Sequence, residues 1–336
     1  MRFTNFFYLS ALALFFVSCE QLDVVLHNAG KDRSDKLPQE VIINEPALFP
    51  EGVAYDPYSN HFLVSSVTRG TIGTVDDQGN YEIFVEDDDF VTTLGLEVDE
   101  HRQRLLVCVA DANTGSVAAL GSYDLRSGER LFLADLTPVA GDAAAYLAND
   151  VAVDPYGNAY VTDSFLPIIY KVDQRGEASV FLRDEAFQPS APGAIGLNGI
   201  AYHPDGYLIA AFSETATLYK IPVDSPANFT AIDVQAGAVT TPDGLSFSKD
   251  YQSLEVVNNE RGGDNGRVTV IGSSDQWATA QQREVFLAGP VSPTTMAQRG
   301  SKSYVLYAYL HELNSGNTSR STFEIVRLDF DRETGS

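Results

Sequence analysis

The stretch LANDVAVDPYGNAYVTDS, Leu147 to Ser164, decides how this chain folds. Asn149-Asp150 opens a run with apolar residues at alternate positions, Asp154-Pro155-Tyr156-Gly157-Asn158 has the residues of a tight turn, and Ala159 to Thr162 alternates again. That is the pattern of a β-hairpin. Its return strand brings Asp163 and Ser164 back beside Asn149, so both ends of the hairpin face one side of the molecule.

Working outward, related openings recur with a period of roughly forty residues, at Phe49, Thr93, Leu147, Leu197, Thr241 and Pro293. Each is followed by a second strand rich in β-branched and aromatic residues: HFLVSS, RLLVCVAD, AYVTDS, YLIAAFSE, SLEVVNNE and SYVLYAYL. Third strands follow, and fourth strands read YEIFVED (Tyr81), ERLFLADL (Glu129), ASVFLRD (Ala178), FTAIDVQ (Phe229) and REVFLAG (Arg283). The sixth unit lacks a fourth strand, yet a segment of that type, QEVIINEP from Gln39, precedes the first unit. Four-stranded units repeated radially, with the last completed from the amino terminus, predict an all-β, six-bladed β-propeller over residues 38–330, with a tail at 331–336. Such closure leaves no long unpaired edge.

The formal net charge of −24 argues against nucleic acid and anionic membrane surfaces as partners, because phosphate contacts are made mainly by Lys and Arg. Residues 1–18 combine Arg2, an apolar run from Phe6 to Val17, and Ser18 before Cys19, which predicts a lipoprotein-type signal peptide. Cys19 would then carry a lipid anchor, the only membrane contact expected, and the polar residues 19–37 would form a tether. This places the protein on the cell envelope as an exported bacterial lipoprotein; a secreted protein is the alternative. The other cysteine, Cys108, lies inside an apolar strand, so neither a disulfide framework nor a thiolate metal site is expected.

In a propeller the innermost strands line one channel and begin at one mouth. Aligning the six openings puts Glu51, Leu94, Asn149, Asn198, Asp243 and Thr294 at one level around the axis. Four of these carry a carboxylate or amide oxygen, a donor set suited to a hard divalent cation such as Ca2+, Mg2+ or Mn2+. Zinc would call for His or Cys, and the histidines His27, His61, His101, His203 and His311 do not recur at this level. Taken singly, Pro-Glu-Gly, Asn-Gly and Pro-Asp-Gly read as turns; their convergence is what points to an ion. Polar residues that end the second strands surround the same mouth, so Ser65-Ser66, Asp111, Asp163-Ser164, Ser213-Glu214 and Asn258-Asn259 are expected to bind substrate, with Phe165 as part of an apolar wall.

With these motifs in order, the sequence resembles the senescence marker protein (regucalcin)/gluconolactonase/LRE-like family of calcium-dependent propellers, and more distantly diisopropyl fluorophosphatase. The resemblance rests on Pro50-Glu51-Gly52, Asn149-Asp150 with Val153 to Asn158, Leu197-Asn198-Gly199 and Pro242-Asp243-Gly244. It implies that Glu51, Asn149, Asn198 and Asp243 are the metal ligands, and that Asp243 is also the general base or nucleophile. The activity implied is opening of a lactone or hydrolysis of a related ester. Two features depart from the family. An arginine found two residues before the first metal asparagine in regucalcin-like proteins is Leu147 here, which turns the reading away from sugar lactones. Blade six offers Thr294, a wall residue, and no His pair like that of paraoxonases is visible. A non-enzymatic propeller with a structural metal, binding a glycan, peptide or protein at its mouth, is the alternative, and a hydrogen-bonded polar plug is a third.

Overall fold

A computed structural model describes residues 37–330. The expected leader at 1–18, the Cys19 anchor, all but the last residue of the tether and the tail at 331–336 lie outside the described residues. Within them the compact unit begins at Gln39.

The hairpin forms as read: Ala148–Val153 pairs antiparallel with Ala159–Asp163, and Ala148 lies opposite Asp163. Its turn is closed by the Asp154 carboxylate, which accepts hydrogen bonds from the Asn158 backbone N–H at 2.8 Å and side-chain amide at 2.7 Å. Gly157 supplies the left-handed φ of 83° that the turn demands.

Six such hairpins, each extended outward by further strands, make six sheets. The inner strands are Val53–Asp56, Thr92–Asp99, Ala148–Val153, Leu197–His203, Pro242–Phe247 and Pro293–Arg299. Each inner strand packs beside the inner strand of the blades before and after it, so the sheets close into a ring. The sixth blade is completed by Glu40–Asn44, which pairs with Thr322–Arg327 in the register Glu40 to Val326 through Asn44 to Thr322. The amino-terminal strand therefore supplies the missing edge, as the repeat predicts.

The core follows from strand periodicity. Along Arg104–Ala110, Leu106, Cys108 and Ala110 face the third blade, whereas Leu105, Val107 and Val109 face the first. Every blade thus contributes both of its faces, and the buried apolar residues gather in six clusters, each between two adjacent blades. Second strands are accordingly hydrophobic without alternation, as strands covered on both faces are.

One predicted strand is divided. FTAIDVQ does not run as a single edge: Thr230–Ala231 pairs within blade four, while Asp233–Val234 pairs in parallel with Thr279–Ala280 of blade five. The reason is Ile232, only 5% exposed, which turns into the core between the two blades and carries the chain across.

Candidate metal and active site

The residue type at the mouth is set by a repeated irregularity. The pairing of inner and second strands shifts register at Leu94-Gly95, Asn149-Asp150, Asn198-Gly199, Asp243-Gly244 and Thr294-Thr295. A β-bulge puts two residues where the partner strand has one and re-aims a side chain. In blades two to five the first bulge residue lines the mouth cavity. The second packs on the next blade so closely that a side chain is often excluded: a Cβ on Gly199 would lie 2.1 Å from the Asp243 carbonyl oxygen, and one on Gly95 2.6 Å from that of Asn149. The Asn-Gly and Asp-Gly pairs are thus not turns at all. They are close approaches of neighbouring blades, each with its polar residue turned into the channel.

Glu51, Asn149, Asn198 and Asp243 all line one cavity of about 990 Å3, and each is only 7% exposed. The backbone around them is fixed. Ser65 Oγ accepts from the N–H of Gly52 at 2.7 Å, Thr162 donates to the Asn198 carbonyl at 2.6 Å, and Thr294 donates to the Glu51 carbonyl at 2.7 Å. Asn259 donates its amide to Asp243 Oδ2 at 2.7 Å, and Asn198 turns its amide N–H toward Ser213 Oγ at 3.1 Å. Ser213 in turn donates to the Pro242 carbonyl.

What remains is a set of buried acceptors without donors: Glu51 Oε2, Asn149 Oδ1 and Asn198 Oδ1 have no hydrogen-bond partner. Stranding a buried acceptor costs roughly 1–3 kcal/mol, so three from separate blades around one cavity call for a shared positive partner. The electrostatics agree. Burial, then Asp243, then Asp150 push the Glu51 carboxyl well above its ordinary range. Burial pushes Asp243 to about 7, with Asp150 adding to the rise and hydrogen bonds from Asn259 and Asn198 opposing it. Among the described residues no three His, Cys, Asp or Glu side chains could hold a metal by themselves. This follows from the donor set, in which two carboxylates are joined by two neutral amide oxygens; that mixture fits a hard cation and not zinc.

The expected substrate contacts divide. Ser213, Glu214 and Asn259 line the cavity, the Glu214 carboxylate accepting from Ser190 N–H at 2.9 Å and from the Ser190 hydroxyl. Ser65, Ser66, Asp111, Asp163, Ser164 and Asn258 do not line it, and the reason is common to them: Ser65 accepts from Gly52 N–H, for example, and Ser66 donates to the Leu48 carbonyl at 2.7 Å. Asp163 accepts from the N–H groups of Leu147, Phe165 and Leu166 and from Tyr170 Oη. Asp111 caps its own loop through Asn113 and Thr114. Ser164 donates to the Leu197 carbonyl at 2.7 Å, and Asn258 accepts from Thr240 N–H at 2.8 Å. Polar residues at strand ends are consumed by the turn that follows. The next one or two residues face the cavity instead: Ala112 after Asp111, Phe165 after Ser164, and Asn259 after Asn258.

Arg261 and His311 also line the mouth, and no repeated motif marks either. Arg261 reaches the mouth on a loop in which Glu260 and Arg261 both take left-handed φ values, 54° and 49°. His311 sits on the short helix Leu310–Asn314, its Nδ1 2.7 Å from Ser292 Oγ, outside any repeated position.

Comparison with known proteins agrees with this architecture. The chain superposes on the major allergen Mala s 1 of Malassezia sympodialis with a TM-score of 0.71 at 19% identity, covering 89% of this chain and 98% of the other. The calcium-binding protein regucalcin from Agrobacterium tumefaciens gives 0.59 at 16% identity, with 87% and 94% covered. Virginiamycin B lyase from Staphylococcus aureus gives 0.54 at 14%, with 80% of each chain covered. At these identities the likeness is one of fold. No curated protein sequence matches the chain. A family profile, however, matches residues 49–258, the span that carries all four ring residues. The chain belongs to the SMP-30/gluconolactonase/LRE-like family.

Proposed function

We propose that this protein is a divalent-cation-dependent hydrolase of the gluconolactonase-like class, opening a lactone or cleaving a related ester at the channel mouth. The observation that carries the reading is the trio of stranded oxygens on Glu51, Asn149 and Asn198 beside the Asp243 carboxylate. A calcium or similar ion held by Glu51, Asn149, Asn198 and Asp243 would supply a Lewis acid toward a carbonyl oxygen.

The chain's own groups supply the rest. Asp243, positioned by Asn259, accepts a proton from water as the water oxygen bonds to the carbonyl carbon. The acyl C–O bond then breaks, and the leaving oxygen takes the proton to give a hydroxy acid, or an acid and an alcohol. The same proposal has the enzyme working outside the cytoplasm, tethered through Cys19.

Metal analysis of the purified protein, followed by a panel of lactones and esters with and without chelator, tests this reading. Bound divalent cation and hydrolysis abolished by chelator and restored by calcium are expected. Full hydrolysis after the ion is stripped, or no ion bound at millimolar calcium, would overturn it.

A further inference from the structure

The two sides of the mouth differ in chemistry. The inner strands follow one another around the ring in chain order, which sets blade two across the axis from blade five. Blade five carries Asp243 and Asn259. Facing them, Leu94 of blade two stands between Glu51 and Asn149 in the ring. From it an apolar surface extends both ways, through Leu147, Phe165 and Ile195 on one side and through Val67 to Leu313 on the other. This surface is continuous: Leu94 and Leu147 belong to the core between blades two and three, Phe165, Ile195 and Val67 pack against that core, and Val67 and Leu313 share the next one.

From this surface, and resting on the hydrolase reading above, we infer that the substrate is a lactone or ester bearing an extended aliphatic or aromatic substituent, which lies along the wall opposite Asp243. A cavity of about 990 Å3 is far larger than one small lactone ring requires. A polyhydroxylated ring laid on this wall would surrender its hydrogen bonds to water and find no replacement among Leu94, Leu147 and Phe165, whereas an alkyl chain gains with each methylene buried. The discrimination is built into the loops. In blades two and three the position after the turn-forming polar residue is Ala112 or Phe165, and in blade five it is Asn259.

The test is a homologous series of γ-lactones, from the unsubstituted ring to one with an octyl tail, alongside gluconolactone, on the full protein with calcium. The expected result is kcat/KM rising about fourfold for each added methylene, with gluconolactone slower than every tailed member. Phe165→Ser, at the half-buried rim, should cut that increment to less than about twofold; Leu147→Asn, if it folds, should do the same. A flat series, or a preference for gluconolactone, with chelator-sensitive hydrolysis intact overturns this inference and leaves the hydrolase reading standing. If nothing in the series is hydrolysed, the lactone branch of that reading falls, and calorimetry with the matching γ-lactams decides the wall. Binding that strengthens with tail length and weakens in Phe165→Ser retains the apolar subsite; no binding removes it.

Discussion

The channel has two acidic ends, and they are built on opposite terms. At the mouth, the oxygens of Glu51, Asn149 and Asn198 are buried with nothing donating to them. At the other end, a cavity of about 290 Å3 is lined by Glu97, Asp150 and Gln298, and its polar groups are largely tied to the scaffold. Asp150 accepts from Val151 and Ile200 N–H at 2.9 and 3.1 Å, and Gln298 donates to Ser246, Glu255 and Ser303. Both ends hold carboxylates pushed upward by burial, Asp150 to about 6 and Glu97 to about 8. Charge alone therefore does not mark a site. What separates the ends is whether neutral amide oxygens have been buried without donors, since nothing about folding benefits from that.

The sharpest way to break the comparison is at Asp243. Asp243→Asn keeps the shape and removes the charge, so turnover should fall by about 10²- to 10⁴-fold while the melting temperature of the chelator-treated protein holds or rises. Steady-state kinetics with parallel calorimetry would show it; wild-type turnover in the variant would remove Asp243 from the chemistry. The next effect concerns the layer just behind the mouth. Asp163→Ala leaves three N–H groups and the Tyr170 hydroxyl without their acceptor. It should cost on the order of 2–4 kcal/mol in urea unfolding. A loss well under 1 kcal/mol would mean that this carboxylate is not scaffolding.

The smallest effect belongs to the far end. Burial first, then Asp150, Asp99 and Glu100, raise Glu97 from 4.5 to about 8 in the folded chain. Between those values the folded state holds a proton that the unfolded state releases, so stability from this group is complete below about pH 4.5 and is lost as pH climbs through about 8. Glu97→Gln should therefore raise the melting temperature at pH 9 and change it little at pH 4. An equal gain at both pH values would show that its ionisation is not what matters.

How much of this was legible beforehand depends on the kind of signal. The ring and its closure were, because a missing fourth strand after Thr322 and a spare one at Gln39 have a single geometric resolution. The convergence of Glu51, Asn149, Asn198 and Asp243 on one cavity was also legible, since the repeat aligns them. The strand-end residues misled, because Asp111, Asp163 and Asn258 have the same composition whether they close a turn or face a ligand; only hydrogen-bond accounting separates the two uses. Asn259, beside Asn258 at the same strand end, was legible and does face the cavity. His311 was not, because it stands on an insertion that the repeat does not index. The division of FTAIDVQ was hidden for a related reason: a buried Ile232 suits an edge strand and a crossover equally well.

Closure of the sixth blade has a consequence for how the molecule comes into being. Glu40–Asn44 finds its partner in Thr322–Arg327, with Gln39 also donating to the Arg327 carbonyl 288 positions later. Among the described residues the earliest strand must wait, with its edge exposed, until Thr322–Arg327 has been made, so the circle shuts late. A nick or pull near Asn44 would thus unfasten the whole wheel at its clasp before it disturbed any one spoke.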